Sequence, residues 1–306
     1  MELDLQTVRI VRAIADTGSI TGAARMLGYS QPAVSQHLQR AETRLGLPLV
    51  APAGRTVRLT DAGQLLARHS LAITSALDAA AGELADLAGL RAGTVRLAAF
   101  PTASSTIVPR FLAGMAERHP GIHVSYLEAE PPEALTLLRE GAIDLAITFS
   151  YPGDRGEPER DGVIVPLFTE ELVVALPTGH RRADDARVDV GRLADERWIA
   201  GCPRCRGHLL AVCEEAGFAP GIAFETDNAG AVLSMVASGL GVAMLPRLAM
   251  ATAALPAGAV TRELRTPSIR NIQAVANDGA ARVPALAASV ALLRELRGDD
   301  WGLAPA

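Results

Sequence analysis

The chain has 306 residues, of which 49% are hydrophobic and 21% charged, and its formal charge is −5. This length is enough for two or three domains with sizeable cores, and the composition is that of an ordinary soluble globular protein. This composition differs from that of fibrous or disordered proteins. No apolar run reaches the length of a membrane span and the first residues do not resemble a signal peptide, so we expect a cytoplasmic protein without membrane contact.

Residues 19–46 predict two short helices joined by a tight turn at Leu27-Gly28-Tyr29. Ser30 is expected to cap the second helix, because its hydroxyl can accept a hydrogen bond from an N–H of the first turn. Pro32 fits that turn, where a missing N–H costs nothing. Apolar residues then recur at three- and four-residue spacing and predict one buried stripe, namely Val34, Leu38, Ala41 and Leu45. The other faces carry amides, hydroxyls and guanidiniums, the groups that read base edges in a major groove.

The segment 47–60 predicts a short β-ribbon with Gly54 at its turn and with Arg55 and Arg58 exposed toward phosphates. Residues 1–60 carry seven arginines and four acidic residues, a formal charge of +3, whereas the other 246 residues carry −8. A basic module on an acidic body indicates that the first sixty residues meet nucleic acid; an ordinary helical hairpin is the alternative. The expected DNA contacts are Ser30, Gln31, Pro32, Ser35, Gln36, Arg40, Arg55 and Arg58.

A family resemblance follows from these residues. The chain reads GSITGAARMLGYSQPAVSQHLQRAETRLG and then LTDAG at 59–63, which resembles the winged helix–turn–helix of LysR-type transcriptional regulators. Weaker matches continue with HP at 119–120, GAIDLAI at 141–147 and GLGVAMLP at 239–246. Val50 and Pro52 stand where the family usually has an aromatic and then a basic residue. The resemblance implies a sequence-specific DNA-binding regulator with a two-lobed α/β effector domain like the type 2 periplasmic binding proteins.

A long helix is expected from Thr60, its cap, to about Leu90. A 3.5-residue period, typical of a coiled-coil seam, runs along it through Leu66, Ser70, Ile73, Leu77, Ala80, Leu84 and Leu87. A helix packed on its own domain is the alternative. A homodimer suits DNA reading, because two recognition helices read two half-sites. The resemblance adds a homotetramer, and RNA polymerase is a further candidate partner.

From Gly93 onward, strands and helices alternate, which predicts two α/β lobes with a mostly parallel sheet. The predicted strands are 94–100, 122–127, 144–149, 172–176, 198–200, 222–226, 242–245 and 269–276. The predicted helices are 107–118, 132–140, 209–216, 231–238 and 285–296. We therefore expect a multidomain chain: a winged helix–turn–helix domain (1–59), a linker and dimerisation helix (60–90) and an effector domain (91–306). Within the last, lobe I comprises 91–165 and 266–306, and lobe II comprises 166–265.

Ligands of open α/β sheets bind outside the carboxyl ends of the strands, so the loops at those ends form the candidate effector site. Hydroxyls and free N–H groups at a helix start suit an anion, and Arg204 adds a positive charge. We expect a small, anionic effector and no cofactor. Plain helix capping by Ser104, Ser105 or Asp227 is the alternative. The expected contacts are Pro101, Thr102, Ala103, Ser104, Ser105, Thr148, Phe149, Cys202, Arg204, Thr226 and Asp227.

The segment GCPRCRGHLLAVC at 201–213 holds a C-x-x-C pair, Cys202 and Cys205, followed by His208 and Cys213. On a helix His208 and Cys213 would face different sides, so we assign no metal and expect Cys213 to be a small buried hydrophobe. The leading interpretation makes the pair inert parts of the cleft wall. The alternatives are a metal sensor or a thiol–disulfide pair, with Arg204, Arg206 and the helix N-terminus lowering the thiol pKa values.

Two other classes of function compete with a regulator. The chain has no P-loop, no GxGxxG after a strand, no GxSxG and no HExxH, so we assign no catalytic residue and expect no enzyme. A cytoplasmic solute-binding protein would fit the body alone, but it would not need the basic helix pair at the N-terminus.

Overall fold

The computed structural model describes residues 3–53, 56–87, 93–153, 162–252, 254–277 and 279–306. The chain divides into two compact units, Met1–Asp78 and Ala79–Ala306. Among the helices within these described ranges, none is both long enough and apolar enough to cross a membrane.

The N-terminal unit contains the predicted helices and the predicted ribbon. Its elements are α1 (Leu5–Thr17), α2 (Ile20–Leu27), α3 (Gln31–Leu45), β1 (Val50–Ala53), β2 (Thr56–Leu59) and the first part of α4 (Asp61–Leu87). The turn after α2 is set by Gly28, whose φ of 70° lies in the left-handed region that glycine adopts without strain. The N–H of Tyr29 returns to the carbonyl of Ala24 at 2.9 Å and closes this turn.

The stripe predicted on α3 forms part of the core of this unit. Val34, Leu38 and Ala41 are buried together with apolar residues of α1 and α2, and Leu45 packs partly buried against them. Because one face of α3 is used in this core, its polar residues remain on the other faces. The fold of the unit therefore decides which side of α3 a partner can meet.

The C-terminal unit is an α/β structure built on one large mixed sheet. Its strands are β3 (Gly93–Ala99), β4 (Ile122–Glu128), β5 (Leu145–Ser150), β6 (Gly162–Pro177), β7 (Arg187–Val188), β8 (Arg197–Ala200), β9 (Gly221–Glu225), β10 (Val242–Pro246), β11 (Ala259–Leu264), β12 (Ile269–Asn277) and β13 (Ala304–Pro305). Its helices are α5 (Pro101–Ser104), α6 (Ile107–Arg118), α7 (Pro131–Arg139), α8 (Pro203–Glu215), α9 (Ala229–Ala237), α10 (Leu248–Thr252) and α11 (Pro284–Glu295). Short 3₁₀ turns lie at Val190–Leu193, Ala280–Arg282 and Asp299–Trp301.

The strand order is β4-β3-β5-β12-β6-β10-β8-β9, with β11 and β13 also paired to β6. Pairing is parallel in the β4-β3-β5 and β10-β8-β9 groups but antiparallel where β6 meets β12 and β10, so the sheet is mixed rather than mostly parallel. The strand β6 pairs with β12 as far as Glu171 and with β10 from Leu172 onward. The chain passes from one lobe to the other at that point and returns between β11 and β12.

Candidate functional site

The N-terminal half of α3 presents polar side chains to solvent. Ser30 caps the helix as predicted, its Oγ accepting from the N–H of Ala33 at 3.4 Å. Gln31 donates from Nε2 to the Oγ of Ser35 at 2.9 Å, and Ser35 itself is half-buried. The other predicted contacts on this helix, Pro32, Gln36 and Arg40, are exposed. Amide and guanidinium donors of α3 are thus accessible to solvent outside its buried stripe.

The ribbon β1–β2 is held beside α3 by Glu42. Its Oε1 accepts from the N–H of Leu49 at 2.7 Å and from the N–H of Val50 at 3.1 Å. The two strands are antiparallel, and Arg58 is exposed on β2. Arg55 lies outside the described residues. Glu42 was missed from the sequence, although an acidic residue near the end of a helix in a basic module is a signal that could have drawn attention to it.

A charged cluster ties the start of α1 to α3. Asp4 accepts from the N–H of Thr7 at 2.7 Å and contacts His37 Nε2 at 3.2 Å, while its other oxygen pairs with Arg44. Burial raises the pKa of Asp4, but the hydrogen bonds from Thr7 and the charges of His37 and Arg44 outweigh it and lower the pKa below its usual value. The cluster therefore contributes stability above the usual pKa of the carboxyl and loses it as the pH falls through the lowered value.

The long helix α4 begins at its predicted cap. The Oγ1 of Thr60 accepts from the N–H of Gly63 at 3.1 Å. A Cβ on Gly63 would lie 2.1 Å from the carbonyl oxygen of Leu49, so only glycine allows this approach of α4 to the ribbon.

The seam of α4 divides into two parts. Leu66 and Ser70 are buried, and Ile73 packs against the core of the N-terminal unit. This first part of the seam therefore agrees with the alternative of a helix packed on its own domain. Leu77 and Leu84 are 42% and 66% exposed. Only the second part therefore offers an unpaired apolar surface; the side chain of Leu87 lies outside the described residues.

A cavity of about 50 Å³ lies between the two lobes of the C-terminal unit. Of the residues predicted for the effector site, those that line it are Pro101, Thr102, Phe149, Cys202, Thr226 and Asp227. Other polar residues also line it and were not predicted for the site: Glu130, Tyr151, Cys205 and Arg270. Space of this size holds a few water molecules, because one water needs about 10–15 Å³ on the same measure.

The remaining residues predicted after the first strand do not line the cavity. Ala103 is buried, Ser104 donates from Oγ to the carbonyl of Phe100 at 2.9 Å, and Ser105 donates to the carbonyl of Pro101 at 3.3 Å. Both hydroxyls donate to carbonyl groups, and the following helix α6 has no side-chain cap. The N-cap residues of α5 and α6 are Phe100 and Thr106, so the alternative role of these serines as helix N-caps is wrong.

For three more residues predicted for the effector site, the structure differs from the predicted effector contact or from the predicted helix cap. Thr148 is fully buried in β5 and lies outside the cavity lining. Arg204 also lies outside it, because its Nη1 donates to the carbonyl of Phe149 at 2.6 Å. Asp227 lines the cavity but does not cap α9, since the cap is Asn228.

The basic group at the cavity is Arg270, which is buried in an ion pair. Its Nε and Nη2 lie 2.8 and 2.6 Å from Oε1 of Glu170, and Oε2 of Glu170 accepts from the N–H of Leu248 at 2.7 Å. The guanidinium lies 4.5 Å from the ring centre of Phe149 and 5.0 Å from that of Phe100. The positive charge is thus balanced by the Glu170 carboxylate and lies close to two aromatic rings.

The charged residues that line the cavity bear on the charge of the ligand that it can bind. Among the described lining residues Arg270 is the only basic one, and Glu170 already neutralises it. Glu130 and Asp227 add carboxylates, and burial together with the charge of Asp227 raises the pKa of Glu130. The lining therefore does not favour the anionic effector that Arg204 suggested.

The two thiols of the C-x-x-C pair lie together at the start of α8. Cys202 is the N-cap, and its Sγ lies 3.1 Å from the Sγ of Cys205. The hydroxyl of Tyr151 donates to Cys205 at 3.5 Å. The thiol of Cys202 donates to Cys205 and, with the charge of Arg270, lowers the pKa of Cys205 to about 7 although burial opposes this. The same hydrogen bond and burial raise the pKa of Cys202.

The other two residues of this segment serve the packing. Cys213 is fully buried, as predicted, and burial raises its pKa to about 11. His208 stacks on Tyr151 with ring centres 3.8 Å apart, and its Nε2 lies 2.6 Å from the Oγ of Ser268. Within the described part of the chain, no group of three or more Cys, His, Asp or Glu side chains is placed to hold a metal ion.

Models of known protein families match segments in both units of the chain. The model of the LysR substrate binding domain matches residues 88–297, and that of the bacterial regulatory helix-turn-helix protein, lysR family, matches residues 5–64. A "Probable hydrogen peroxide-inducible genes activator" of Mycobacterium avium is 36% identical over 248 residues, which are 79% of this chain and 78% of that protein.

Solved structures agree in fold. A full-length OxyR variant from Pseudomonas aeruginosa has a TM-score of 0.73 at 23% identity, and the match covers 96% of both chains. Full-length CbnR complexed with the target DNA has a TM-score of 0.53 at 22% identity, and the match covers 95% of this chain and 99% of that one. The matched relatives are transcriptional regulators rather than enzymes. With family models matching a helix–turn–helix and a two-lobed effector domain in one sequence, the chain belongs to the LysR family of DNA-binding transcriptional regulators.

Proposed function

We propose that this regulator reads double-stranded DNA through the N-terminal half of α3. Gln31, Ser35 and Gln36 would contact base edges in the major groove, with Ser30 and Pro32 at the helix start close to the DNA. Arg40, Arg55 and Arg58 would contact phosphates on either side. The observation that carries this proposal is the exposed polar surface of α3, with the ribbon held beside it by Glu42.

We further propose that two chains pair through the exposed part of the α4 seam and present two such helices as a homodimer. Leu77 borders an apolar groove with Leu3, Leu5 and Val8, which extends the surface available for pairing. Pairing of dimers into a homotetramer, and contact with RNA polymerase at a neighbouring promoter, complete the proposed assembly.

The signal, in this proposal, is a small molecule received in the cavity between the lobes. A molecule held there touches both lobes, so it favours one arrangement of them to the extent that its affinity for the two arrangements differs. The balanced Arg270 and the carboxylates of Glu130 and Asp227 favour a molecule of low charge over an anion.

Replacing Gln36 by alanine tests the base-reading part. A contact to a base edge is worth about 1–3 kcal/mol of discrimination. Gln36→Ala should therefore bind its cognate duplex about 5–150-fold more weakly, with unchanged affinity for a scrambled duplex at the same salt concentration. Fluorescence anisotropy titrations of the full chain measure both. Gln64→Ala, which removes an exposed glutamine from α4, is the matched control. Equal affinity of Gln36→Ala and wild type for the cognate duplex would rule out this docking.

A further inference from the structure

A short segment after α11, residues 298–306, lies against the crossing between the lobes and is named the strap. Within it, β13 pairs with Phe168 and Thr169 of β6. These two residues of β6 also pair with β12, so β13 occupies the opposite edge of the strand. The crossing follows directly, where β6 starts to pair with β10 at Leu172.

The strap is attached to lobe I by an aromatic ring and an ion pair. The ring of Trp301 is buried and meets the ring of Phe168 edge to face, with ring centres 6.5 Å apart. Arg110 of α6 lies 4.6 Å from the centre of the same indole and also pairs with Asp300. Arg110 thus contacts two neighbouring residues of the strap.

The strap meets lobe II at Arg247, the residue that follows β10. Gly302 has a φ of 67°, and a Cβ on it would lie 2.9 Å from Cδ of Arg247, so the strap backbone packs directly on that side chain. The N–H of Arg247 donates to the carbonyl of Glu171 at 3.1 Å, and its Nη2 donates to Glu263 of β11 at 3.4 Å. The strap therefore contacts lobe I, the crossing strand and lobe II within a few residues.

The part of lobe II that the strap contacts is also a wall of the cavity. Pro246 and Ala249, which stand on either side of Arg247 in the chain, both line the cavity. Between them, the N–H of Leu248 donates to the buried carboxylate of Glu170 at 2.7 Å. A movement of this wall relative to lobe I must therefore strain or break contacts of the strap.

The strap is held by few contacts and can open without unfolding a lobe. Residues 304–306 are exposed, and Pro305 has no N–H to donate to the strand pairing. The ion pair between Arg110 and Asp300 is also exposed, so it contributes little stability. Trp301 is the largest buried side chain of the strap. Segments with so few buried contacts open locally at a small fraction of the free energy of global unfolding.

We propose that the strap fixes the arrangement of the lobes in this structure, and that its release permits the arrangement through which a molecule in the cavity acts on DNA binding. The first half of this proposal rests on the contacts of the strap alone. The second half rests on the proposed function, because it requires that the cavity controls DNA binding. Breaking the strap at either end should loosen the wall in lobe II.

Hydrogen–deuterium exchange of the full-length protein, followed in peptides that cover residues 247–252 of the wall, tests the first half. An alanine at position 302 is strained at a positive φ, and its Cβ would meet Arg247. Gly302→Ala should therefore release the strap, and speed exchange in 247–252, about 5–30-fold. Gly217→Ala is the matched control, because Gly217 also has a positive φ, 87°, but no described atom lies within 4 Å of its Cβ. It should leave exchange in 247–252 unchanged.

Arg110→Gln tests the strap from its other end. This arginine lies in lobe I, so its effect on the wall in lobe II requires a connection through the strap. Loss of the exposed contact with the indole and of the exposed ion pair should speed exchange in 247–252 about three- to tenfold. Arg118→Gln removes another exposed ion pair from the same helix, with Glu295 of α11, and should leave that exchange unchanged. Since Arg110 is exposed, its replacement carries the test even where Gly302→Ala fails to fold.

DNA binding separates the two halves of the proposal. Both strap variants should change the affinity for a cognate duplex about threefold or more, in the same direction and without any added small molecule, whereas both controls should not. Unchanged exchange in 247–252 in Arg110→Gln and in folded Gly302→Ala would overturn the strap. Faster exchange with unchanged affinity for the cognate duplex would overturn its part in signalling. A wild-type protein that binds no DNA sequence specifically would contradict the proposed function and leave the exchange result standing.

Discussion

Replacing Arg270 by methionine is expected to lower the free energy of unfolding of the C-terminal unit by about 3–5 kcal/mol. The Glu170 carboxylate is fully buried, and two guanidinium nitrogens of Arg270 lie within 2.8 Å of it. Without the arginine, Glu170 stays buried as an uncompensated charge or must take up a proton, and either outcome costs stability. Urea denaturation of the full chain, followed by tryptophan fluorescence, measures the change.

Two variants control this result. Arg294→Met removes an exposed arginine from α11 and should change the free energy of unfolding by no more than about 0.5 kcal/mol. Glu170→Met combined with Arg270→Met removes both charges and should recover most of the loss, since a buried ion pair is often replaceable by apolar side chains. A loss below about 1 kcal/mol in Arg270→Met would show that the pair does not hold the cavity wall.

Replacing Leu77 by aspartate is expected to dissociate the proposed dimer and to weaken cognate DNA binding about 100-fold or more. A carboxylate on the seam would be buried without a partner, which is costly, and separated chains lose the gain from binding two half-sites together. Sedimentation velocity measures the assembly, and anisotropy measures DNA affinity. Leu84→Asp, at a seam position 66% exposed in the chain, should act in the same way.

Leu65→Asp is the matched control for the seam. Leu65 is 51% exposed on the same helix but stands outside the 3.5-residue period. Its replacement should leave both the sedimentation coefficient and the DNA affinity unchanged. A dimer that survives both Leu77→Asp and Leu84→Asp would contradict pairing through α4.

Features with local causes were predictable from the sequence. The cap at Ser30, the glycine turn at Gly28 and the cap at Thr60 depend on neighbouring residues alone, and the structure confirms each of them. The helix α6 has the predicted bounds, Ile107–Arg118. These elements are set by hydrogen bonds and spacings within a few residues of the chain.

The directions of the side chains at the cavity depend on contacts with residues that are distant in the sequence. They were therefore not predictable from neighbouring residues. Arg204 is adjacent to the thiols in sequence, but its guanidinium is taken by the carbonyl of Phe149. Arg270 was missed, although it shares the parity of the buried Ile272 and Ala274 on β12. A charged residue at an inward position of a strand is a signal of a buried partner, here Glu170.

The first half of β6 was missed for a related reason. Residues 162–171 contain Pro166 and two consecutive acidic residues, Glu170 and Glu171, which interrupt a strand pattern. The register shift beside Pro166 and the ion pair of Glu170 absorb these interruptions in the fold. Both the register shift and the ion pair depend on the neighbouring strand β12, which lies about one hundred residues later in the chain. A local sequence pattern therefore does not reveal them.

Selection of DNA from a randomised duplex pool by the full-length protein tests whether α3 reads a specific DNA sequence. The protein should enrich a sequence with two inverted half-sites, centred about 10 base pairs or a multiple of that distance apart, because paired α3 helices enter successive major grooves. A variant combining Gln31→Ala, Ser35→Ala and Gln36→Ala should enrich no sequence while it still binds duplex DNA weakly. Enrichment of the same sequence by that variant, or of no sequence by the wild type, would contradict the claim that α3 reads DNA.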